Sequence, residues 1–151
     1  MMLKPPEAMS LAFTEAEAAG ARGEVPVGAV VTDRAGAILA SAGNRTLELK
    51  DPTAHAELLA IREAARKLGS ERLTDCDLHV TLEPCTMCAA AISFARIRRL
   101  YFGASDEKMG AVEHGVRFFR QVTCHHAPEV YGGIGEERGR ALLKAFFGSR
   151  R

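Results

Sequence analysis

The order of segments predicts an α/β protein, with helices packed on a central sheet. Two observations carry the prediction. Short β-branched or alternating apolar runs recur along the chain, and longer segments with helical spacing lie between them. A third sets the scale. The chain has 151 residues, of which 47% are apolar and 26% charged. That length can bury about 70% of the unfolded surface, enough for one core without staples. No repeat, low-complexity stretch or linker interrupts it, so residues 1–151 are read as a single domain.

Each element has a local reason. Pro5 and Pro6 can open a helix, whose first amides lack partners in any case, and Glu7 to Ala21 continues it with Met9, Phe13 and Ala16 at helical spacing. Gly20 and Gly23 close it. Val27 to Thr32 is a buried strand by composition. The turn Asp33-Arg34-Ala35-Gly36 leads to a second strand, Ala37 to Ala42, making a hairpin. Asn44 to Lys50 is a polar loop. Asp51-Pro52-Thr53 reads as a helix start with Asp51 as N-cap, and the helix runs from about Thr53 to Leu68. Its expected apolar stripe is Leu58, Ile61, Ala65 and Leu68. Leu78, Val80 and Leu82 alternate with His79 and Thr81, giving a third strand that Pro84 ends. This alternation suggests that His79 is a surface or a satisfied histidine. Cys85 to about Ala95 is a short helix, nearly apolar all round. Arg99 to Gly103 is a fourth strand. Weaker signals give a helix over Ala111 to Phe119, a fifth strand over Glu129 to Tyr131 and a final amphipathic helix over Glu136 to Phe147. The acids in its first turn suit the macrodipole.

Composition excludes several classes. No run reaches the ~18 apolar residues of a membrane span. Pro5, Pro6 and Glu7 stand where a signal peptide would need its apolar core, so the expected location is the cytoplasm. In that compartment, closely spaced cysteines point to metal or catalysis. The formal net charge of +1 hides an asymmetry, because residues 1–88 carry a net −4 and residues 89–151 a net +5. The basic half permits a polyanion partner.

The chemistry concentrates in two short motifs, His55-Ala56-Glu57 and Pro84-Cys85-Thr86-Met87-Cys88, with His55 and Cys85 30 residues apart. One imidazole and two thiolates suit Zn²⁺, which accepts both donor types. At a helix N-terminus, the free amides favour the thiolate form of Cys85 and Cys88. Three protein ligands leave a fourth tetrahedral position open, the pattern of a catalytic zinc. Glu57 is then the candidate acid/base. The spacing carries one difficulty. Residues i and i+2 of an ideal helix face roughly opposite ways, so His55 and Glu57 converge only in a first turn or at a helix end. A structural zinc completed by Cys76, Cys124, His125 or His126 is the alternative, and a redox pair at Cys85 and Cys88 is another.

The signature His-x-Glu followed by Pro-Cys-x-x-Cys belongs to the zinc nucleobase deaminases. The resemblance extends over Glu24-Val25-Pro26-Val27-Gly28-Ala29-Val30, Asn44-Arg45, Asp51-Pro52-Thr53-Ala54-His55-Ala56-Glu57, Val80-Thr81-Leu82-Glu83-Pro84-Cys85-Thr86-Met87-Cys88, Ala95-Arg96-Ile97 and Phe102-Gly103-Ala104. Across nearly the whole chain the sequence resembles the bacterial tRNA-specific adenosine deaminases. The likeness thins between about Ala111 and Pro128.

The resemblance implies a three-layer cytidine deaminase-like fold, a five-stranded mixed sheet sandwiched by helices. It implies one Zn²⁺ per subunit on His55, Cys85 and Cys88, no organic cofactor, and Glu57 as proton shuttle. The implied reaction is attack of a zinc-bound hydroxide on C6 of the wobble adenosine of a tRNA anticodon stem-loop, giving inosine and ammonia. The tRNA is expected to be an arginine one. Base contacts fall on Asn44, on Val25 and Pro26 as an apolar wall, on the backbone of Pro84 and on Asp106 near the ribose. The implied assembly is a homodimer joined through the Cys85 helix. For RNA the expected contacts are Lys108, Phe147, Arg150 and Arg151, with Arg96, Arg98 and Arg99 as a further basic cluster. Two rival functions stand beside this one. A small-molecule deaminase of guanine or cytosine uses the same zinc chemistry, whereas Ala54 before His55, the surroundings of Asn44 and the basic half favour RNA. A non-catalytic subunit would lack the acid that Glu57 supplies.

Overall fold

Five strands form one mixed sheet: β1 (Gly28–Thr32), β2 (Ile38–Gly43), β3 (Asp77–Leu82), β4 (Arg99–Ala104) and β5 (Glu129–Tyr131), in the order β2-β1-β3-β4-β5. The computed structural model describes residues 2–149. β1 is antiparallel to both β2 and β3, and β3–β4 and β4–β5 are parallel. The register pairs Gly28 with Gly43, Ala29 with Val80 and Leu82 with Ala104. The start of β1 and the ends of β2, β3 and β4 therefore lie along one edge of the sheet, and the loops that leave there become neighbours.

Helices cover both faces. α1 (Pro5–Ala21) and α5 (Glu136–Gly148) pack on one side, and α3 (Ala56–Leu68) lies on the other with α4 (Thr86–Phe94) against it. Successive strand residues alternate between the faces. Ala29, Val31, Leu78, Val80, Leu100 and Phe102 join Ala56, Ala60, Ala64 and Ile92 in the larger core cluster. Val30 and Tyr101 meet Met9, Ala12 and Phe13 of α1 in the smaller one. Gly28 permits this contact, because a Cβ there would lie 1.9 Å from the Ala12 carbonyl. No helix among the described residues is long and apolar enough to cross a membrane.

The expected mixed sheet is present, and several local expectations are corrected. A helical turn, α2 (Thr46–Leu49), interrupts the loop expected after β2. α3 begins at Ala56, not Thr53, because Asp51 spends its carboxylate on the Thr53 amide and hydroxyl at 2.8 and 2.7 Å and so closes a turn of its own. The buried stripe of α3 is Ala56, Glu57, Ala60 and Ala64, while Leu68 is 48% exposed. Small side chains let the helix settle close to the sheet, and the larger Leu58 and Ile61 flank the contact. The helix expected over Ala111 to Phe119 is absent. That segment is irregular and ends in a 3₁₀ turn at Phe118–Arg120.

His79 is not a surface residue. It faces α1 at 3% exposure, stacks on Tyr101 with ring centroids 4.9 Å apart and shares a 3.0 Å hydrogen bond with the Thr32 hydroxyl through Nε2. Its Nδ1 meets no partner among the described residues. Burial pushes its pKa down to about 4. The unfolded chain, with a pKa near 6.5, then binds a proton that the folded chain refuses. Stability is full above pH ~6.5 and falls as pH drops toward 4. His79→Gln is expected to remove about 2 kcal/mol of the stability difference between pH 7 and pH 5, read from urea unfolding at both pH values. An unchanged difference would show that His79 is protonated in the native state.

Candidate active site

The two motifs meet because two helices end at one point. His55 immediately precedes α3 with extended backbone, φ −74° and ψ 150°, and Cys85 precedes α4 in the same way, φ −74° and ψ 176°. His55 therefore lies outside the helical period, which removes the difficulty of its spacing to Glu57. Cys88 sits in the first turn of α4, so the Cys-x-x-Cys pair straddles the helix start, where a helix offers unpaired amides and the positive end of its dipole.

The donor atoms are arranged for one cation. His55 Nδ1 lies 3.6 Å from Cys85 Sγ and 3.5 Å from Cys88 Sγ, and all three donor atoms lie within 4.8 Å of one another. Tetrahedral zinc bonds of about 2.0 Å to nitrogen and 2.3 Å to sulfur require a nitrogen–sulfur separation of about 3.6 Å. The donor set fits Zn²⁺ in chemistry and in spacing. The Cys85 thiol is held down to about 4, first by the hydrogen bond from Cys88 and then by His55, and Cys88 moves up as the donor. His55 is raised, mainly by its bond to Cys85. A divalent cation replaces this shared proton and deprotonates both thiols. Cys76, Cys124, His125 and His126 are not in the cluster, and no fourth protein ligand joins it among the described residues.

A cleft of about 220 Å³ opens over the donors, lined by Val25, Asn44, Glu57, Asp106 and Met109 among others. Glu57 is 4% exposed, and burial pushes its carboxyl up to about 7. Asn44 accepts the Ala56 amide on Oδ1 at 2.8 Å, which satisfies an unpaired N–H of α3 in place of a cap. Its Nδ2 amide is left to donate into the cleft. Val25 forms part of the wall with Val27, whereas Pro26 lines a separate groove with Leu142 and Phe146 of α5. Pro84 is fully buried, and its carbonyl accepts the Ala111 amide at 2.9 Å. Asp106 is half-buried and lines the same cleft.

Sequence reasoning missed the groups that hold these walls. Glu24, 2% exposed, accepts from the Thr46 hydroxyl and from the amides of Leu47 and Glu48, and so anchors α2 beside the cleft. Glu83, also 2% exposed, accepts from the amides of Asp106, Val112, Glu113 and His114 and from His114 Nδ1 at 2.8 Å. Burial alone would raise its pKa, yet these bonds hold it below the usual carboxylate range. The signal was available. Each glutamate sits in an apolar stretch, Val25-Pro26-Val27 after Glu24 and Leu82 before Glu83, and a carboxylate drawn inside must find donors.

The expected RNA residues separate. Lys108 is exposed on the cleft loop, and Phe147 is 51% exposed, edge-on to Phe146. Arg150 and Arg151 lie outside the described residues. The basic cluster is corrected in part, because Arg98 forms a two-point ion pair with Asp77 at 2.9 and 2.7 Å and Arg99 lies 3.4 Å from Glu129. Both charges are paired, which leaves Arg96 as the member of the cluster with no carboxylate partner among the described residues. Cys124 and His126 act structurally, since Cys124 Sγ contacts Ser93 and the His126 carbonyl while His126 Nε2 bonds the Ile97 carbonyl.

Two helix starts thus share an imidazole and two thiols beside a buried carboxyl, a donor set suited to a catalytic zinc. Residues 3–104 match the model of the cytidine and deoxycytidylate deaminase zinc-binding region. The chain belongs to that family, and within it to the tRNA-specific adenosine deaminases. The protein of that name from Agrobacterium fabrum is 62% identical over 144 residues, covering 95% of this chain and 93% of the relative. A solved structure from work on A-to-I editing by tRNA:A34 deaminases superposes with a TM-score of 0.88 at 62% identity, over 90% of this chain and 98% of that one. A guanine deaminase from Nitrosomonas europaea has a TM-score of 0.84 at 25% identity, over 98% and 87% of the two chains.

Cys88→Ser tests the metal geometry. A neutral hydroxyl is a poor zinc ligand, so zinc affinity should fall by more than the ~10–100-fold that changes behind the ligands already cause. Metal analysis after dialysis reads it, and stoichiometric zinc in the variant would remove Cys88 from the ligand set.

Proposed function

We propose that the protein deaminates the wobble adenosine of a tRNA anticodon to inosine, with an arginine tRNA as substrate. The observation that supports this best is a buried Glu57 beside a zinc-competent donor set, in a cleft that Asn44 also lines. The identity to tRNA-specific adenosine deaminases supports the substrate class. Its identity to them far exceeds that to the guanine deaminase.

When bound, zinc supplies the Lewis acidity that makes water a nucleophile near neutral pH. Glu57 takes one proton from the attacking water and passes it to the adenine ring, then takes the proton of the new C6 hydroxyl and delivers it to the departing amine. A C6–O bond forms, the C6–N bond breaks, and ammonia leaves. A pKa near neutrality lets one carboxyl both accept and return the proton. Asn44 donates from Nδ2 to a ring acceptor, since its oxygen is committed to Ala56. Val25 packs on the base, the Pro84 backbone borders the amino group and Asp106 lies toward the ribose. Pro26 supports Val25 from behind.

Lys108, Phe147, Arg150 and Arg151 are the groups assigned to the stem-loop, with phosphates for the cations and an unpaired base for the ring. A homodimer in the cytoplasm completes the reading, and residues 1–151 act as one deaminase domain. Phe94 is 70% exposed on α4 beside partly exposed Met87, Ala90 and Ala91, an apolar face suited to a second copy.

The test is inosine formation, read by mass, on an anticodon stem-loop with adenosine at the wobble position, with free guanine and cytosine run in parallel. Conversion of the stem-loop alone is the expected outcome, and turnover of a free base with an inert stem-loop would reassign the substrate. Glu57→Ala should lose at least about 10²-fold in turnover while keeping zinc and RNA affinity. Full turnover would remove Glu57 from the chemistry.

A further inference from the structure

Glu83 is the most heavily bonded carboxylate in the described structure, and the zinc donors do not use it. Its side chain is fully buried, yet it sits beside the Pro84-Cys85 turn, one chain position from the residue that starts the cysteine motif. Every group it binds belongs to one segment, 106–114. Oε1 accepts the Asp106 amide at 3.0 Å and the His114 ring at 2.8 Å. Oε2 accepts the amides of Val112, Glu113 and His114 at 3.1, 2.9 and 3.1 Å. The two oxygens thus grip both ends of a closed loop.

The same loop is stitched to the cysteine turn by its backbone. Cys85 and Gly110 form an antiparallel bridge, and the Ala111 amide bonds the Pro84 carbonyl. Gly110 presses onto the carboxylate so closely that a Cβ would lie 2.5 Å from Glu83 Cδ. Asp106 then orders the loop's tip, accepting the amides of Lys108 and Met109 on Oδ1. Asp106 and Met109 line the cleft, although Met109 is 69% exposed. An exposed apolar side chain on so firmly held a backbone is set for a ligand rather than for the core.

We propose that Glu83 and His114 form a positioning pair that holds the Asp106–Met109 wall against the substrate nucleoside. The inference rests on the reading of the cleft as the adenosine site. His114 contributes through a donor at Nδ1, and its ring is not needed otherwise. Neither residue touches the reacting atoms, so the pair acts on substrate binding and not on the proton transfers. The wall it fixes lines the cleft with Asp106, the residue assigned to the ribose. Buried charge-assisted bonds of this kind are strong, and losing them lets the wall move.

Steady-state kinetics on the adenosine stem-loop, with zinc content measured on each zinc-loaded protein, test the pair. Glu83→Gln and His114→Phe should keep one zinc per chain and a kcat within about threefold, and should raise KM about tenfold. His114→Asn carries an amide donor at the position of Nδ1, and should return KM to within about twofold of wild type. The His114 variants decide the matter if Glu83→Gln fails to fold. An unchanged KM in His114→Phe overturns the proposal. So does a parallel loss of zinc and kcat, which would make the pair a support for Cys85 only, and so does equal impairment of the Asn and Phe variants. A wild-type protein inert on the stem-loop but active on guanine overturns the substrate reading instead, and the same KM comparison on guanine then judges the pair.

Discussion

The site depends on the amino ends of α3 and α4 meeting at a single point. Strand direction makes this possible. β1 runs against β3, so the start of β1 and the ends of β2, β3 and β4 share one edge. Both helices begin there, and both begin with a metal-binding residue in extended conformation. Unpaired amides and two helix dipoles then act on the same few ångströms, which favours thiolates there. The ligand spacing that looks awkward along the sequence is a consequence of putting the ligands just outside the helices.

Two carboxylates and an amide near that edge pull the loops into a cleft. Glu24 gathers α2, Glu83 gathers the 106–114 loop, and Asn44 Oδ1 ties β2 to the first turn of α3. Each is a polar group that folding has taken out of water, and each recovers hydrogen bonds from backbone amides that would otherwise be unpaired. The fourth group, Glu57, differs. It lies on the buried face of α3 with little to compensate its charge, so its proton is held more firmly than in water. Three of these groups are partnered and structural, and one is left chemically available.

Much of this was legible in the sequence, and the failures have physical causes. Strand β3 follows from alternation, β1 from its β-branched composition and helices α1 and α5 from apolar spacing, whereas the three-residue β5, with only Val130 partly buried, gives a weak signal. The two motifs follow from donor chemistry. What could not be read was set by contacts distant in sequence. Asp51 looks like a helix cap, but the cap function passes to Asn44, twelve residues before Ala56. The Ala111 to Phe119 segment has a helical composition, but Glu83 captures four amides between Asp106 and His114 and leaves no helical ladder there. Arg98 and Arg99 look like phosphate ligands until Asp77 and Glu129 occupy them. Alternation admits His79 as either a surface or a satisfied histidine, because it marks two faces and cannot say that α1 covers the second.

The placement of Glu57 shows why the fold needs both burial and a helix end. At the exposed start of a helix a carboxyl would be stabilised as the anion by the dipole, and would be a weak proton donor near neutrality. Packed among small alanines on the inner stripe of α3, it loses water, and its pKa rises to about 7. The neighbouring thiols need the opposite, because a ligand must be deprotonated, and the hydrogen bond from Cys88, followed by that from His55, lowers Cys85 to about 4. One edge of one sheet thus holds an acid with a raised pKa and a thiol with a lowered one, the acid within the first turn of α3 and the thiol just before α4. The alanine stripe that confounded the expected Leu58–Leu68 face is what makes this possible, since a leucine at position 60 or 64 would lift α3 from the sheet and let water reach Glu57.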